Sequence, residues 1–290
     1  MTHQVMDDHD PNFFSGYKID TEPRQLIKAR ATESTERWKS AWSQFVWEDP
    51  QEIDPRSWWK IEDQKQTNSC VGQSLAEGAE LSAVISDGQK LDLSRSWSYL
   101  ASQEASGYLG SDNGADLNGA TTAAERGIPL EQDFPWADNY SSMIASYRAK
   151  KAAILAGPLY RLKSEVNIDG AEACKRFIGG WTGSVHVGLR WPGFNLVGGW
   201  EIHSYTASGR SGHALLMCGY LKVASWPEGY GILMKNSWSP SWGKDGWALV
   251  KPSAFDSMMR SNANIGIGRS EMVMPAPRNQ VDTYRSFLAS

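Results

Sequence analysis

Cysteine is scarce in this chain. Only Cys70, Cys174 and Cys218 occur among 290 residues. An odd, sparse set builds no disulfide framework, and at most one bridge is available. That excludes the small cystine-stapled folds and points to a reduced, intracellular setting; a viral product made in a host cell, or a mature form without its leader, shares the same signature. No run of about 18 apolar residues is present, so no membrane-spanning helix is expected. The stretch Met1–Asp10 is acidic and has no apolar core, unlike a secretory signal. A basic excess is missing too: 29 Lys and Arg face 33 Asp and Glu, for a net charge of -4. A chain of that balance does not attract a phosphate backbone, so nucleic acid is not the expected partner. Internal repeats and low-complexity tracts are likewise absent.

What the chain does have is 41% apolar residues, enough for a sizeable core, and 14 tryptophans, a count compatible with an aromatic-lined groove. Residues 1–20 are polar and read as a loose tail. Trp38, Trp42 and Phe45 recur at spacings of four and three, which predicts an amphipathic helix within Thr21–Trp47, packed on the main domain or lying across a cleft. Helices are further expected from Cys70 to about Ser86, near Ser94–Glu104, over Leu117–Arg126 and over Tyr140–Leu155. On the first of these, Val71, Leu75 and Ala79 share the inner face.

After about Tyr160 the texture changes. The runs Gly183–Arg190, Ala214–Tyr220, Tyr230–Lys235 and Trp247–Val250 read as strands punctuated by Gly and Pro. A helical half followed by a β-rich half argues an α+β fold, not an alternating α/β sheet. The expected division is an N-terminal extension over 1–50, a main domain over 51–275 (helical lobe about 60–160, β lobe about 161–275), and a tail over 276–290.

Three side chains stand out for chemistry. Asn68 and Ser69 are capping-type residues just ahead of a helical pattern, so Cys70 falls in a first helical turn. The helix dipole and free N–H groups there are expected to lower its pKa and favour the thiolate. Cys174, in a helix-like run, and Cys218, in an apolar strand, read as core residues. A thiolate nucleophile needs a base. His3 and His9 lie in the tail, His186 and His203 in strand-like runs, and His213 opens a strand directly after Ser211–Gly212, at a position suited to a cleft. Downstream, Asn236 offers a carboxamide oxygen that can hold the far ring nitrogen of such a base, and Trp238 can shield that bond from water. Gln64, six residues before Cys70, carries an amide suited to an oxyanion.

Gln64-Lys-Gln-Thr-Asn-Ser-Cys70, Gly212-His-Ala214, and Lys235-Asn-Ser-Trp238 with Trp242-Gly243 and Gly246-Trp247 together resemble the three signature blocks of the papain and cathepsin family, in the family's order. Leu93-Ser94, Asn113-Gly114, the stretch from Ala120 to Gly127-Ile-Pro, Asp133-Phe-Pro-Trp136 and Ser184-Val-His-Val-Gly188 resemble further family blocks. The resemblance covers roughly residues 51–275. It implies a papain-like fold: a helical left lobe, a β-barrel-like right lobe and a cleft between them. It implies Cys70 as nucleophile, His213 as general acid and base, Asn236 orienting His213, Trp238 covering that contact, and Gln64 in the oxyanion hole. Gly114 would offer its backbone to an extended substrate, Ala115 would line the neighbouring pocket, and Trp242 the leaving-group side. The implied partner is a peptide or protein substrate, with no cofactor, no metal and no membrane.

This chain departs from the family pattern at Val71, where relatives carry tryptophan. Thr67 stands in place of a disulfide cysteine, Lys65 in place of a glycine, and Gly212 in place of Asp or Asn. The pocket floor falls on Ser270 or Glu271, and a glutamate there would favour a basic substrate side chain. The expected activity is peptide hydrolysis through an acyl-thioester. The alternatives are an inactive papain-fold binding or structural component, with the N-terminal helix or the C-terminal tail as a docking element, and a transpeptidase, deamidase or isopeptidase on the same fold.

Overall fold

The computed structural model describes residues 16–18, 52–57, 59–87, 89–180, 183–191, 193–207, 211–261 and 264–273. The expected helix carrying Trp38, Trp42 and Phe45, and the tail over 276–290, lie outside the described residues.

Four helices come first: α1 (Cys70–Asp87), α2 (Arg95–Ser106), α3 (Leu117–Arg126) and α4 (Tyr140–Leu155). The starts of α2, α3 and α4 are set by side chains that accept from otherwise unpaired N–H groups. Ser94 Oγ accepts from Trp97 N–H at 3.1 Å, Asp116 Oδ1 from Gly119 N–H at 2.7 Å, and Asn139 Oδ1 from Ser142 N–H at 2.9 Å. Gly107 ends α2 in the left-handed region, φ 76°, its N–H reaching the carbonyls of Gln103 and Glu104. Among the long elements, α1 is the central one: Cys70, Val71, Leu75, Ala76, Ala79 and Ala83 are fully buried. Truncating Leu75 to Ala there would cost about 2–5 kcal/mol.

The second half holds β1 (Arg161–Asn167), α5 (Ala171–Gly179), β2 (Gly183–Trp191), β3 (Leu196–Val197), β4 (Glu201–Ile202), β5 (Ser211–Lys222), β6 (Tyr230–Lys235), β7 (Trp247–Val250), α6 (Pro252–Arg260) and β8 (Ile265–Val273). The strands form one sheet in the order β1-β8-β2-β5-β6-β7-β4-β3, antiparallel except for the β4–β7 pair. The segregated α+β architecture read from the sequence is present.

Strand alternation divides the core in two. Val185, Val187, Leu189 and Trp191 on β2, with Leu215 and Met217 on β5, pack with α5 and α6 in one cluster. The other face of the sheet turns to α1, where Ala214, Ile265 and Ile267 join the cluster of the first four helices. A buried ion pair also spans the halves: Lys235 Nζ at the end of β6 donates to Glu77 Oε1 on α1, and both side chains are almost wholly buried. The helix that starts with Cys70 and the strand that leads into Asn236 are thereby tied together.

Candidate active site

Cys70 is the first residue of α1, and the loop before it is pinned from the side. Asn68 N–H donates to the Asp112 carboxylate at 3.0 Å, Asn68 Nδ2 donates to the Asp112 carbonyl at 2.6 Å, and Tyr99 Oη donates to the same carboxylate at 2.6 Å. His213 sits at the third position of β5, paired across the sheet with Leu189. Its Nε2 lies 2.8 Å from Asn236 Oδ1. That oxygen also accepts from Ser237 N–H at 2.9 Å, so it is the carboxamide's acceptor end and the imidazole carries its hydrogen on Nε2. The lone pair is thus on Nδ1, which has no hydrogen-bond partner among the described residues. The Cys70 sulfur lies beside the residue that follows His213: Ala214 N–H donates to Sγ at 3.4 Å.

Tryptophan encloses the imidazole. Trp238 lies over it at a centroid distance of 4.5 Å and a 30° tilt, and Trp191 meets it edge-on at 4.9 Å and 74°. Trp242 packs 6.3 Å from Trp238 and is 6% exposed. Trp191 was not singled out in the sequence. It ends a strand one residue beyond the expected boundary, and nothing in its local pattern marks it as a wall of the site.

Gln64 is fully buried beside these groups. Its N–H donates to the Ser237 carbonyl at 2.9 Å, and Asp63 bridges Trp238. Its side chain accepts from Ser237 Oγ through Oε1 at 2.8 Å and donates through Nε2 to the Thr67 carbonyl at 2.8 Å. Lys65, where the family carries glycine, holds φ 53°, a conformation costing roughly 1–2 kcal/mol outside glycine. Its N–H and ammonium both reach Asp63, at 2.9 Å each.

A short piece of the N-terminal region occupies the cleft. Gly16 N–H donates to Cys70 Sγ at 3.3 Å. Tyr17 forms a parallel bridge with Ala115: Ala115 N–H donates to the Gly16 carbonyl at 2.8 Å, and Lys18 N–H to the Ala115 carbonyl at 2.8 Å. Tyr17 N–H donates to the Gly212 carbonyl at 3.1 Å. Fit depends on glycine: a Cβ at Gly16 would stand 1.6 Å from the Asn68 carbonyl oxygen, and one at Gly114 would stand 1.9 Å from the Gly16 oxygen. The backbone that pairs with this strand belongs to Ala115. Gly114 spends its own N–H on Tyr99 Oη at 3.1 Å and its carbonyl on Gln103 Nε2 at 3.0 Å, and it contributes by being small.

That cover reverses the electrostatic expectation for Cys70. Burial pushes its thiol up to about 12, outweighing the N–H donors of Ala214, Gly16 and Val71 that pull it down. Burial likewise pushes His213 down to about 4, against the raising effect of its bond to Asn236. The helix N-terminus does not win, because a charge there is cut off from water. In this covered state sulfur and imidazole are both neutral.

Cys174 and Cys218 are buried and free, as core residues, and Cys70 is free as well. His203 pairs with Glu201 at 2.8 Å. His3 and His9, and the side chains of Ser270 and Glu271, lie outside the described residues. Among the described residues no group of three His, Cys, Asp or Glu is placed to hold a metal ion, and no helix is long and apolar enough to cross a membrane.

A helical half and a sheet half that bring a thiol at a helix start beside a histidine held by an asparagine define a papain-like architecture. The family model described as papain family cysteine protease matches residues 49–267, and the chain belongs to that family. No curated protein sequence matches it. Solved structures share the fold at low identity. The clostridial cysteine protease Cwp84, after propeptide cleavage, has 16% identity and a TM-score of 0.63 over 78% of this chain and 58% of that one. This chain therefore spans little more than half of that relative's length. Xylellain, a cysteine protease from Xylella fastidiosa, has 16% identity and a TM-score of 0.58 over 92% of this chain and 97% of that one. The Carica candamarcensis cysteine protease CMS1MS2, solved in complex with E-64, has 20% identity and a TM-score of 0.56 over 77% and 99%.

Proposed function

We propose that the chain is a cysteine peptidase held latent by its own N-terminal segment. Cys70 is the nucleophile, His213 the general acid and base, and Asn236 the residue that orients it. The observation that carries this reading is the pairing of two contacts: His213 Nε2 bound to Asn236 Oδ1 at 2.8 Å, and Cys70 Sγ bound by the N–H of the very next residue, Ala214.

In the covered state the sulfur meets an N–H, from Gly16. The segment is a cover, not a bound substrate. When it lifts, water and the substrate replace it, and the burial that holds both groups neutral is relieved. The proton of Cys70 then passes to His213 Nδ1, the only ring nitrogen with a lone pair to accept it. The thiolate attacks the peptide carbonyl carbon. The oxyanion is met by the Cys70 N–H and the Gln64 amide. The C–N bond breaks as His213 delivers its proton to the leaving amine, leaving a thioester on Cys70. Water loses a proton to Nδ1 and attacks the thioester carbon, the C–S bond breaks, and the acid product leaves with the thiol restored. Trp238 and Trp191 keep water from the Asn236 bond throughout. The substrate is a peptide or protein.

The test is a cleavage profile on a mixed peptide library. It compares the full chain, a Tyr17→Ala variant and Cys70→Ala in either background. Hydrolysis by Tyr17→Ala that disappears in the Tyr17→Ala, Cys70→Ala double variant supports the reading. Hydrolysis that survives loss of Cys70 overturns it.

A further inference from the structure

The loop over 107–116, between α2 and α3, touches the cleft at two points. Asp112 holds Asn68, two positions before Cys70, and Ala115 supplies the backbone on which the strand over 16–18 pairs. Asp112, Tyr99 and Gln103 connect these points. Both oxygens of the Asp112 carboxylate face a donor. Oδ1 accepts from Asn68 N–H at 3.0 Å and from Tyr99 Oη at 2.6 Å, and Oδ2 lies 3.2 Å from the same N–H. A carboxylate placed against donors on both oxygens carries no proton and can only accept.

That fixes the direction of the bonds behind it. A phenol has one hydrogen and two lone pairs. Tyr99 gives its hydrogen to Asp112, in a short bond to a charged group. Its lone pairs then take Gly114 N–H at 3.1 Å and Gln103 Nε2 at 2.9 Å. Gln103 Nε2 also reaches the Gly114 carbonyl at 3.0 Å, and its Oε1 accepts from Tyr140 Oη at 2.8 Å. The N–H and the carbonyl of Gly114 are thus both held from one turn of α2, a single residue before Ala115. Tyr99 and Gln103 are fully buried, so losing one member leaves its neighbours unsatisfied away from water. All three cysteines are free, so no disulfide supplements this tie.

We infer that Asp112 is a positioning residue for the reaction: through Asn68 it sets the start of α1 and so the Cys70 sulfur, and through Tyr99 it sets the Gly114–Ala115 backbone on which the substrate chain lies. The inference deepens the peptidase reading and rests on it. Shape alone does not suffice at this position, because both ends of the side chain must accept. An amide has one acceptor end and one donor end. With its oxygen toward Tyr99, its NH2 would face Asn68 N–H, donor against donor. Turned over, it would aim a hydrogen at the Tyr99 oxygen, whose lone pairs are already taken. Either way one joint of the tie opens.

The experiment places Asp112→Ala, Asp112→Asn, Tyr99→Phe and the Asp112→Ala, Tyr99→Phe pair in the full chain carrying Tyr17→Ala. Two quantities are measured: kcat and KM on a peptide substrate, per mole of titratable Cys70 thiol, and backbone amide exchange at Asn68 and Gly114 by NMR. Asp112→Ala should lower kcat/KM by roughly tenfold or more, with part of the loss in kcat, because the nucleophile is displaced. Asp112→Asn keeps one joint and should recover part of that loss. The pair should lose about as much as the worse single variant, because both substitutions break one connected network. Gly114 N–H should exchange at least about tenfold faster in Asp112→Ala, although Asp112 does not bond to it. If Asp112→Ala does not fold, Asp112→Asn carries both comparisons. A lower Tm with unchanged kcat/KM per titrated thiol overturns the positioning role and leaves the peptidase reading standing. Losses that multiply in the pair also overturn it. Linked exchange at Asn68 and Gly114, in a chain that hydrolyses no peptide, keeps the tie and sinks the peptidase reading.

Discussion

Gly16 donates its backbone N–H to the sulfur of Cys70 at 3.3 Å, across 54 positions of sequence. One hydrogen bond thus connects the least patterned part of the chain to its most reactive candidate atom. It also accounts for the state of that atom. A sulfur sealed under backbone cannot be hydrated, and its thiol is held far above the range in which a nucleophilic cysteine works.

Gly16→Ala should unseat the cover. Its methyl would stand 1.6 Å from the Asn68 carbonyl oxygen, backbone that cannot swing aside. Iodoacetamide should label Cys70 at least about tenfold faster in this variant, and the denaturant midpoint should fall modestly, because the adjoining Tyr17 leaves its buried apolar cluster. An unchanged labelling rate would count against a seated cover.

Asn236→Ala removes the acceptor that holds His213 Nε2 at 2.8 Å. With the cover opened by Tyr17→Ala, kcat/KM on a peptide substrate should fall by roughly 10² or more. The loss should appear in kcat, because Asn236 holds the base and not the substrate. A drop confined to KM would show that the residue shapes binding instead.

Lys235→Met should be costly. It strands the Glu77 carboxylate in a site where both partners are almost wholly buried, a loss of about 3–5 kcal/mol for one partner of a buried pair. The double variant Lys235→Met, Glu77→Leu should regain most of that. Urea unfolding of wild type and the two variants measures it, and a double variant as weak as the single one would contradict a pair-based account.

Acid should weaken the fold through His186. This imidazole is fully buried, with neither ring nitrogen bonded among the described residues. Burial first, then the charge of Arg269, pushes its pKa well below 6.5. The folded chain keeps it neutral, whereas the unfolded chain protonates it below about pH 6.5. Its contribution is therefore complete above that pH and is lost as pH falls below it, by up to about 1.4 kcal/mol per pH unit. Glu80 acts in the opposite sense, because burial lifts its carboxyl to about 8, so the folded form holds a proton that the unfolded one releases above about pH 4.5. The variant isolates the histidine: His186→Gln should lessen the fall in Tm between pH 7 and pH 5, and an unchanged slope would refute its part.

Much of this was legible in local pattern. The bounds of Leu117–Arg126, Tyr140–Leu155, Tyr230–Lys235 and Trp247–Val250 follow from periodicity and punctuation, and each recurs as an element. β1 and β8 were not read, because strands such as Arg161–Asn167 alternate too weakly to stand out and form by pairing with each other. The grouping of Cys70, His213 and Asn236 was legible for a different reason. Their flanking residues carry a family's spelling, although 143 positions separate the first two.

Residue types and their order specify which groups meet: a thiol at a helix start, an imidazole at a strand mouth, a carboxamide past the next strand. Periodicity and capping are short-range, and short-range signals survive in the linear chain. The state of those groups is a matter of distant contacts. That burial outweighs the helix N-terminus at Cys70, that Asp112 ties Asn68 to Tyr99, and that Trp191 walls the imidazole all depend on chain segments arriving from far away. Desolvation and close packing exist only once those segments have come together.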